Sequence, residues 1–158
     1  MKSKIINILL LSALLTGCLS TATNEGLRRV KEKGDPLFVS DISLLSTNIA
    51  PVQIAWYNPG PRTIDEIRFS VSIFNQKGEK VHQTELISSG PHLPMDQIAE
   101  KSSVNRIWWF GDWYRPTMTC ILVDQVDVRF EDGSAVLIDT REKLDQIISD
   151  GVAKSCRT

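Results

Sequence analysis

The chain has few of the residues that most often carry chemistry or cross a membrane. It has 158 residues, of which 3 are cysteine and 2 are histidine. The histidines, His82 and His92, do not lie at ligand spacing with either of the later cysteines, so we expect no metal site. The longest mostly apolar stretch, Ile5 to Leu15, is interrupted by Asn7 and Ser12 and falls well short of the ~20 residues that a spanning helix needs.

An excess of charge of one sign is also lacking. The 18 basic and 19 acidic residues give a formal net charge of -1, and such a balance has no electrostatic footprint for nucleic acid. Phosphate loops, zinc-protease helices and calcium loops are absent as motifs. A nucleophilic serine or cysteine would need a nearby base and an orienting group, and the two isolated histidines support such a site poorly. The sequence therefore offers no catalytic residues, and we expect a protein that is not an enzyme.

One carboxylate remains to be considered for catalysis. Asp124 interrupts an apolar face of a predicted strand, and a buried acid can have a raised pKa and act as a general acid. A position at a strand end or a β-bulge, where the carboxylate is solvated or hydrogen-bonded, is the interpretation that we favour.

The N-terminus has the layout of a secretory leader. Lys2 and Lys4 precede the apolar run, which ends in Leu15-Thr16-Gly17-Cys18. This tetrapeptide resembles the lipobox of bacterial lipoproteins. The resemblance implies that residues 1–17 are a signal peptide, that they are removed, and that Cys18 carries covalent lipid and an acylated amino group. The alternative is a free cysteine after an ordinary leader.

Lipidation predicts where the protein works. Several acyl chains anchor a protein firmly, because each buried methylene contributes ~0.8 kcal/mol. We therefore expect the protein to be bound to a membrane through its lipid, and we expect no cofactor besides this covalent lipid. The residue after the cysteine influences sorting in double-membrane bacteria, and Leu19 is not the aspartate that resembles an inner-membrane retention signal. We expect the periplasmic face of the outer membrane.

The other cysteines are compatible with export. With Cys18 assigned to lipid, two cysteines remain, Cys120 and Cys156. A disulfide between them is the default in an oxidising compartment. Two separate buried thiols are the alternative.

Residues 18–35 are predicted to be a flexible tether after the lipidated cysteine. They are mostly polar, and Asp35-Pro36 closes the segment. A coil of this length reaches ~20 to 25 Å on average, so the domain would stand off the bilayer. The basic stretch Arg28 to Lys33 could touch headgroups or wall polymers, although a solvated spacer is the simpler interpretation.

Residues 36–158 are predicted to form one mostly β domain. Side chains alternate between apolar and polar in several segments, which indicates strands with one buried face. The predicted faces include Phe38, Ser40, Ile42 and Leu44 in the first strand, and Met118, Cys120, Leu122, Val126, Val128 and Phe130 in the longest. About seven short strands without interleaved helices predict an antiparallel immunoglobulin-like β-sandwich.

One C-terminal α-helix is expected to close the chain. Asp139 with Glu142 resembles a capping box. The apolar residues that follow fall on one stripe at helical spacing, namely Leu144, Ile147, Ile148 and Val152. A helix that continued past Gly151 would aim Cys156 inward, towards a strand such as the one with Cys120.

An aromatic cluster is the most suggestive candidate for binding. Its members are Trp108, Trp109, Phe110, Trp113 and Tyr114, with Arg106, Asp112 and Arg115 at the rim. A strand alternates sides, so Trp108 and Phe110 cannot share a face with Ile107 and Trp109. One pair therefore faces away from the main core. It is either covered by a loop or the helix, or it forms an exposed platform for a glycan or a protein.

The segment from Val52 to Ser134 resembles a group of uncharacterised bacterial proteins with an immunoglobulin-like sandwich. The resemblance is carried by Trp56, Asn58, Thr63, Ile64, Ile67, Phe69, Val71, Asn75, Gly78, Gly90, Pro91, Trp113, Tyr114, Thr117, Cys120, Val126, Val128, Phe130, Asp132, Gly133 and Ser134. It implies the fold and brings no catalytic residues with it.

Three functions remain open at the level of sequence. The first is a non-catalytic envelope lipoprotein whose sandwich binds a periplasmic protein or peptidoglycan through its aromatic loop or a sheet edge. The second is an accessory lipoprotein of a trans-envelope assembly of the secretion type. The third, a hydrolase that acts on the cell wall, lacks a recognisable site.

Overall fold

The computed structural model describes residues 17–44, 51–97, 103–109 and 118–150. Within these ranges the chain forms seven strands and two helices of more than one turn. The helices are α1 (Gly17–Lys33) and α2 (Arg141–Ile147), and the strands are β1 (Phe38–Leu44), β2 (Val52–Tyr57), β3 (Ile64–Asn75), β4 (Lys80–His92), β5 (Val104–Trp108), β6 (Met118–Phe130) and β7 (Ala135–Ile138). No helix among the described residues is both long and apolar enough to span a membrane.

The strands form two antiparallel sheets, as the sequence predicts. One sheet has the order β1-β2-β5 and the other the order β4-β3-β6-β7. This arrangement matches the A-B-E and C′-C-F-G sheets of an immunoglobulin-like sandwich. The core lies between the sheets and contains alternate residues of each strand, such as Ile67, Phe69, Val71 and Ile73 of β3.

A β-bulge in β1 changes which residues face the core. The register shifts between Val39 and Asp41, so the side chains on either side of the bulge do not follow one alternation. Val39 is fully buried in the core, and Ile42 and Leu44 pack against it. The prediction that Phe38 shares their face is therefore wrong. Phe38 is buried on the opposite face of the sheet, beneath α1.

A second β-bulge changes which residues of β6 face the core. Val71 pairs with Val123 and Ser70 with Gln125, so Asp124 is the extra residue. Before the bulge the core contains Ile121 and Val123, and after it Val126, Val128 and Phe130. The predicted common face of this strand is thus wrong at Cys120 and Leu122, which lie on the other side.

The predicted tether is helical where the structure describes it. Helix α1 covers almost the whole of residues 18–35 and packs on the sandwich through Val30, which is fully buried. Arg29 Nη2 donates a hydrogen bond to the carbonyl of Gln146, next to the end of α2 (3.3 Å). These contacts overturn the expectation of a free coil, because tertiary packing stabilises a helix that is weak in isolation.

Gly34 ends α1 with a Schellman motif. Its φ is +73°, its N–H bonds to the carbonyl of Lys31 (3.2 Å), and the N–H of Asp35 bonds to the carbonyl of Val30 (3.1 Å). Together with Lys31 and Lys33 in the last turn, this glycine is the sequence signal for a helix end.

Helix α2 is present but shorter than predicted. Its N-cap is Thr140 rather than Asp139, and the Thr140 side chain accepts a hydrogen bond from the N–H of Lys143. Leu144 and Ile147 are buried, while Ile148 is extended and forms a parallel bridge with Val39. Val152 and Cys156 lie outside the described residues.

Candidate functional site

Strand β5 is an edge strand. It pairs with β2 on one side, from Val52 opposite Trp108 to Trp56 opposite Val104. On its other side no strand of the described residues is paired with it. An edge of this kind presents backbone N–H and C=O groups to which an extended segment can add.

Trp108 points towards the sandwich interior. Its ring lies 6.3 Å from that of Trp56 and 6.4 Å from that of Phe69, measured between centroids. Its Nε1 donates a hydrogen bond to the carbonyl of Ile87 on β4, at 3.2 Å. Trp108 therefore links the two sheets between β5 and β4, and the carbonyl of Ile87 already accepts a hydrogen bond.

Ile107 and Trp109 point elsewhere and are exposed. Ile107 keeps 44% of its surface accessible and Trp109 keeps 63%. Of the two pairs that alternation separates, the one with Trp109 thus faces away from the core. Of the other candidate binding residues, Phe110, Trp113, Tyr114 and Arg115 lie outside the described residues, and the predicted platform remains a prediction there.

Arg106 adds positive charge to this edge. It is exposed, and none of the ion pairs found among the described residues includes it. It pairs with Ile54 across the strands and so belongs to the same side of β5 as Trp108. The edge thus combines exposed apolar side chains with a guanidinium group that is available for a carboxylate.

His92 has a structural role. It is buried, and its ring contacts that of Trp56 edge-on with 5.5 Å between centroids. Burial lowers the pKa of His92, and the nearby charge of Arg106 acts in the same direction. Ser88 Oγ lies 3.3 Å from His92 Nε2. A neutral imidazole held in this way contributes to packing rather than to acid–base chemistry.

Asp124 is a hydrogen-bonded bulge residue, as favoured from the sequence. Its Oδ2 accepts a hydrogen bond from Ser72 Oγ at 2.6 Å. The described part of the chain contains no group of three or more His, Cys, Asp or Glu residues that could hold a metal ion.

The cysteines remain a matter of prediction. Cys120 lies on β6 opposite Phe74, is half-buried, and its side chain is engaged rather than free. Cys156 is outside the described residues, so the proposed disulfide stays a prediction. Cys18 lies in the first turn of α1, and nothing in the structure bears on its lipidation.

Sequence reasoning missed a cleft at the C-terminal end of α1. Its walls come from α1, from the β2–β3 and β4–β5 connections, and from β6 and β7. No short sequence motif can predict a site whose residues come from so many separate segments.

Comparisons with known proteins give one distant structural likeness and no family. The chain matches no protein-family profile and no curated protein sequence. Among solved structures it is similar to IrmA from Escherichia coli, at 8% sequence identity and with a TM-score of 0.46, over 71% of this chain and 86% of that chain. A likeness at this level says nothing about function.

Proposed function

We propose that the chain is a non-catalytic lipoprotein of the cell envelope that binds an extended segment of a periplasmic protein along β5. The observation that carries the proposal is the exposure of Trp109 and Ile107 beside an edge strand with no neighbour on its outer side among the described residues. Monomeric proteins usually protect such edges with charge, proline or a covering element.

The chemistry of the edge defines the partner. An added strand gains backbone hydrogen bonds, while its alternate side chains provide specificity. Tryptophan and arginine are the residues that most often dominate binding energy in protein interfaces. We therefore propose a partner segment with an apolar side chain that covers Ile107 and Trp109 and a carboxylate that meets Arg106.

Anchoring through Cys18 is the second part of the proposal. Since α1 begins at Gly17 and is packed on the sandwich by Val30, lipid on Cys18 would be held by a helix and not by a coil. At 1.5 Å per residue, the 12 residues from Cys18 to Val30 span about 18 Å of helix. The binding edge would then lie at a set height above the membrane, which we propose is the periplasmic face of the outer membrane.

Lipidation is tested with a clickable fatty acid fed to cells that produce the full chain. The wild type should incorporate the label and lose residues 1–17, whereas a Cys18→Ser variant should incorporate none. Unlabelled wild-type protein with the leader intact would disprove the anchor.

Binding is tested by pull-down of the lipidated full chain from detergent-solubilised envelopes. Trp109→Ser and Arg106→Glu should each lose a partner that the wild type retains in stoichiometric amount. Leu137→Ser is the matched control, because Leu137 is a similarly exposed residue, at 49%, on β7 of the other sheet. Equal recovery of the partner by all variants would refute the role of β5.

Three other functions can be distinguished with the same lipidated protein. Several partners recovered in fixed ratio would favour an accessory lipoprotein of a trans-envelope assembly. Sedimentation with purified peptidoglycan that depends on Trp109 would favour wall binding instead, since a sugar face can stack on an exposed indole. Release of soluble fragments from peptidoglycan would indicate a hydrolase.

A further inference from the structure

A cleft of about 470 Å³ lies between the end of α1 and the loop that joins β2 to β3. We call it the α1 cleft. Its apolar lining consists of Pro36, Pro59, Pro61, Phe130 and Val136. The volume is within the range of small-molecule sites, about 300 to 1,000 Å³.

The wall formed by the β2–β3 loop is fixed by Asn58. This side chain is buried, and its Nδ2 donates to the carbonyls of Arg62 (2.7 Å) and His92 (2.9 Å). Its Oδ1 accepts a hydrogen bond from the N–H of Gly60 at 3.2 Å. The amide thus makes three hydrogen bonds that hold the loop, so the cleft exists before any ligand enters.

Charges of both signs line the α1 cleft. Lys31 and Arg62 are its cations, and Asp35 and Asp96 are its acids. The guanidinium carbon of Arg62 lies 3.6 Å from the centroid of the Phe130 ring. Its Nη1 donates to Ser134 Oγ at 2.7 Å and lies 3.6 Å from Asp132 Oδ2, so Nε and Nη2 remain as donors for a ligand.

The other three charged residues of the cleft form no ion pair within the described part of the chain. Lys31, Asp35 and Asp96 take part in none of the ion pairs found there. In addition, Oδ2 of Asp35 is buried and accepts no hydrogen bond. A buried acceptor of this kind is rare and costly, and a donor that entered the cleft beside Asp35 would satisfy it after a small adjustment of the carboxyl group.

From this arrangement we infer that the α1 cleft binds a small zwitterionic molecule of dipeptide or tripeptide size. Its ammonium group would meet Asp35, its carboxylate would meet Lys31 and Arg62, and its aliphatic part would lie on the prolines and Phe130. The inference goes beyond the proposed function and does not rest on it. The cleft lies past the Tyr57 end of β2, whereas Trp108 pairs with Val52 at the other end, about 20 Å away along the strand.

The test uses trialanine with free termini as the probe and the ¹⁵N-labelled full chain in detergent micelles. Titration should shift the amide signals of Gly34, Asp35, Gly60 and Arg62. The N-acetylated and the C-amidated forms of the same peptide should each bind roughly tenfold more weakly or worse, since each removes one charge-assisted interaction.

Two variants connect the binding to the charges. Asp35→Asn and Lys31→Met should each weaken trialanine binding by roughly tenfold. The matched controls, Asp139→Asn and Lys33→Met, change exposed residues that do not line the cleft and should leave the affinity unchanged.

Absence of shifts around the cleft, equal binding of the blocked peptides, or unchanged affinity in Asp35→Asn would each overturn the inference. If Asp35→Asn did not fold, the comparison of free and blocked peptides on the wild type would still decide. Partner recovery through β5 is a separate readout, so failure of one proposal leaves the other standing.

Discussion

Gly26 of α1 lies directly on the ring of Phe38 of β1. A Cβ atom at position 26 would come within 2.6 Å of Phe38 Cε2 and closer still to Cζ, so that the helix or the ring would have to shift. Phe38 is only 1% exposed, and its other neighbour is the ring of Tyr57, 6.3 Å away between centroids. Glycine therefore allows α1 to cover Phe38 on the outer face of the three-stranded sheet.

This contact gives the first prediction. In an exposed helix, Gly→Ala stabilises by about 1 kcal/mol, but here Gly26→Ala should destabilise by about 1 to 3 kcal/mol because it overpacks the contact with Phe38. In the double variant with Phe38→Leu the alanine should become much less harmful. Urea unfolding of the four proteins of this double-mutant cycle gives the coupling.

The control for this cycle is Glu25→Ala, at an exposed neighbouring position. Its unfolding free energy should stay within about 0.5 kcal/mol of the wild type. A coupling of zero between positions 26 and 38 would show that α1 does not pack on β1.

The two adjacent tryptophans should respond in opposite ways to substitution. Trp108→Ser removes ring contacts with Trp56 and Phe69 and the hydrogen bond to Ile87, so we expect a loss of about 2 to 4 kcal/mol. Trp109→Ser should change the unfolding free energy by no more than about 0.5 kcal/mol and should affect only binding. Equal destabilisation by both would contradict the placement of Trp109 outside the core.

Stability should decline on mild acidification because of His92. Its pKa in the folded state is below the ordinary 6.5, chiefly through burial, so the unfolded state binds more protons once the pH falls below 6.5. The free energy of unfolding should then decrease as the pH falls from 6.5 towards the folded-state pKa, by at most about 1.4 kcal/mol per pH unit for one proton. Above 6.5 the contribution is constant.

Urea unfolding at several pH values, with wild type and His92→Gln, measures this effect. The variant should lack the component of the pH dependence that the wild type shows below 6.5. His82→Gln, on the same strand, should keep it. A wild type with the same profile as His92→Gln would be inconsistent with a depressed pKa.

We predict a disulfide between Cys120 and Cys156. Thiol blocking of protein taken directly from the envelope, followed by mass spectrometry, should find the two joined. Cys156→Ser should then lower the unfolding free energy by about 2 to 4 kcal/mol, since the loop closed by the bridge would be freed in the unfolded state. Two blocked thiols in the wild type would refute the bridge.

Local chemistry in the sequence was enough to predict the class of the fold. Alternation in β3 and the turn residues between strands led to two antiparallel sheets, because a period of two and a buried face follow from the backbone alone. The same alternation also separated Trp108 from Trp109. It could not say which of the two faces inward, since that depends on which sheet lies opposite.

Bulges and the packing of α1 were decided by tertiary structure. One extra residue at Ser40 or at Asp124 reverses the faces of the rest of a strand without any mark in the hydrophobic pattern. The segment around Gly26 looks like a polar coil until Phe38 lies beneath it, although Gly34 and the two lysines before it did signal a helix end. The sequence by itself therefore determined the strands and their turns, where each residue needs only its neighbours. The register, the covering helix and the α1 cleft arise from contacts between residues far apart in the chain, and only the folded chain could decide them.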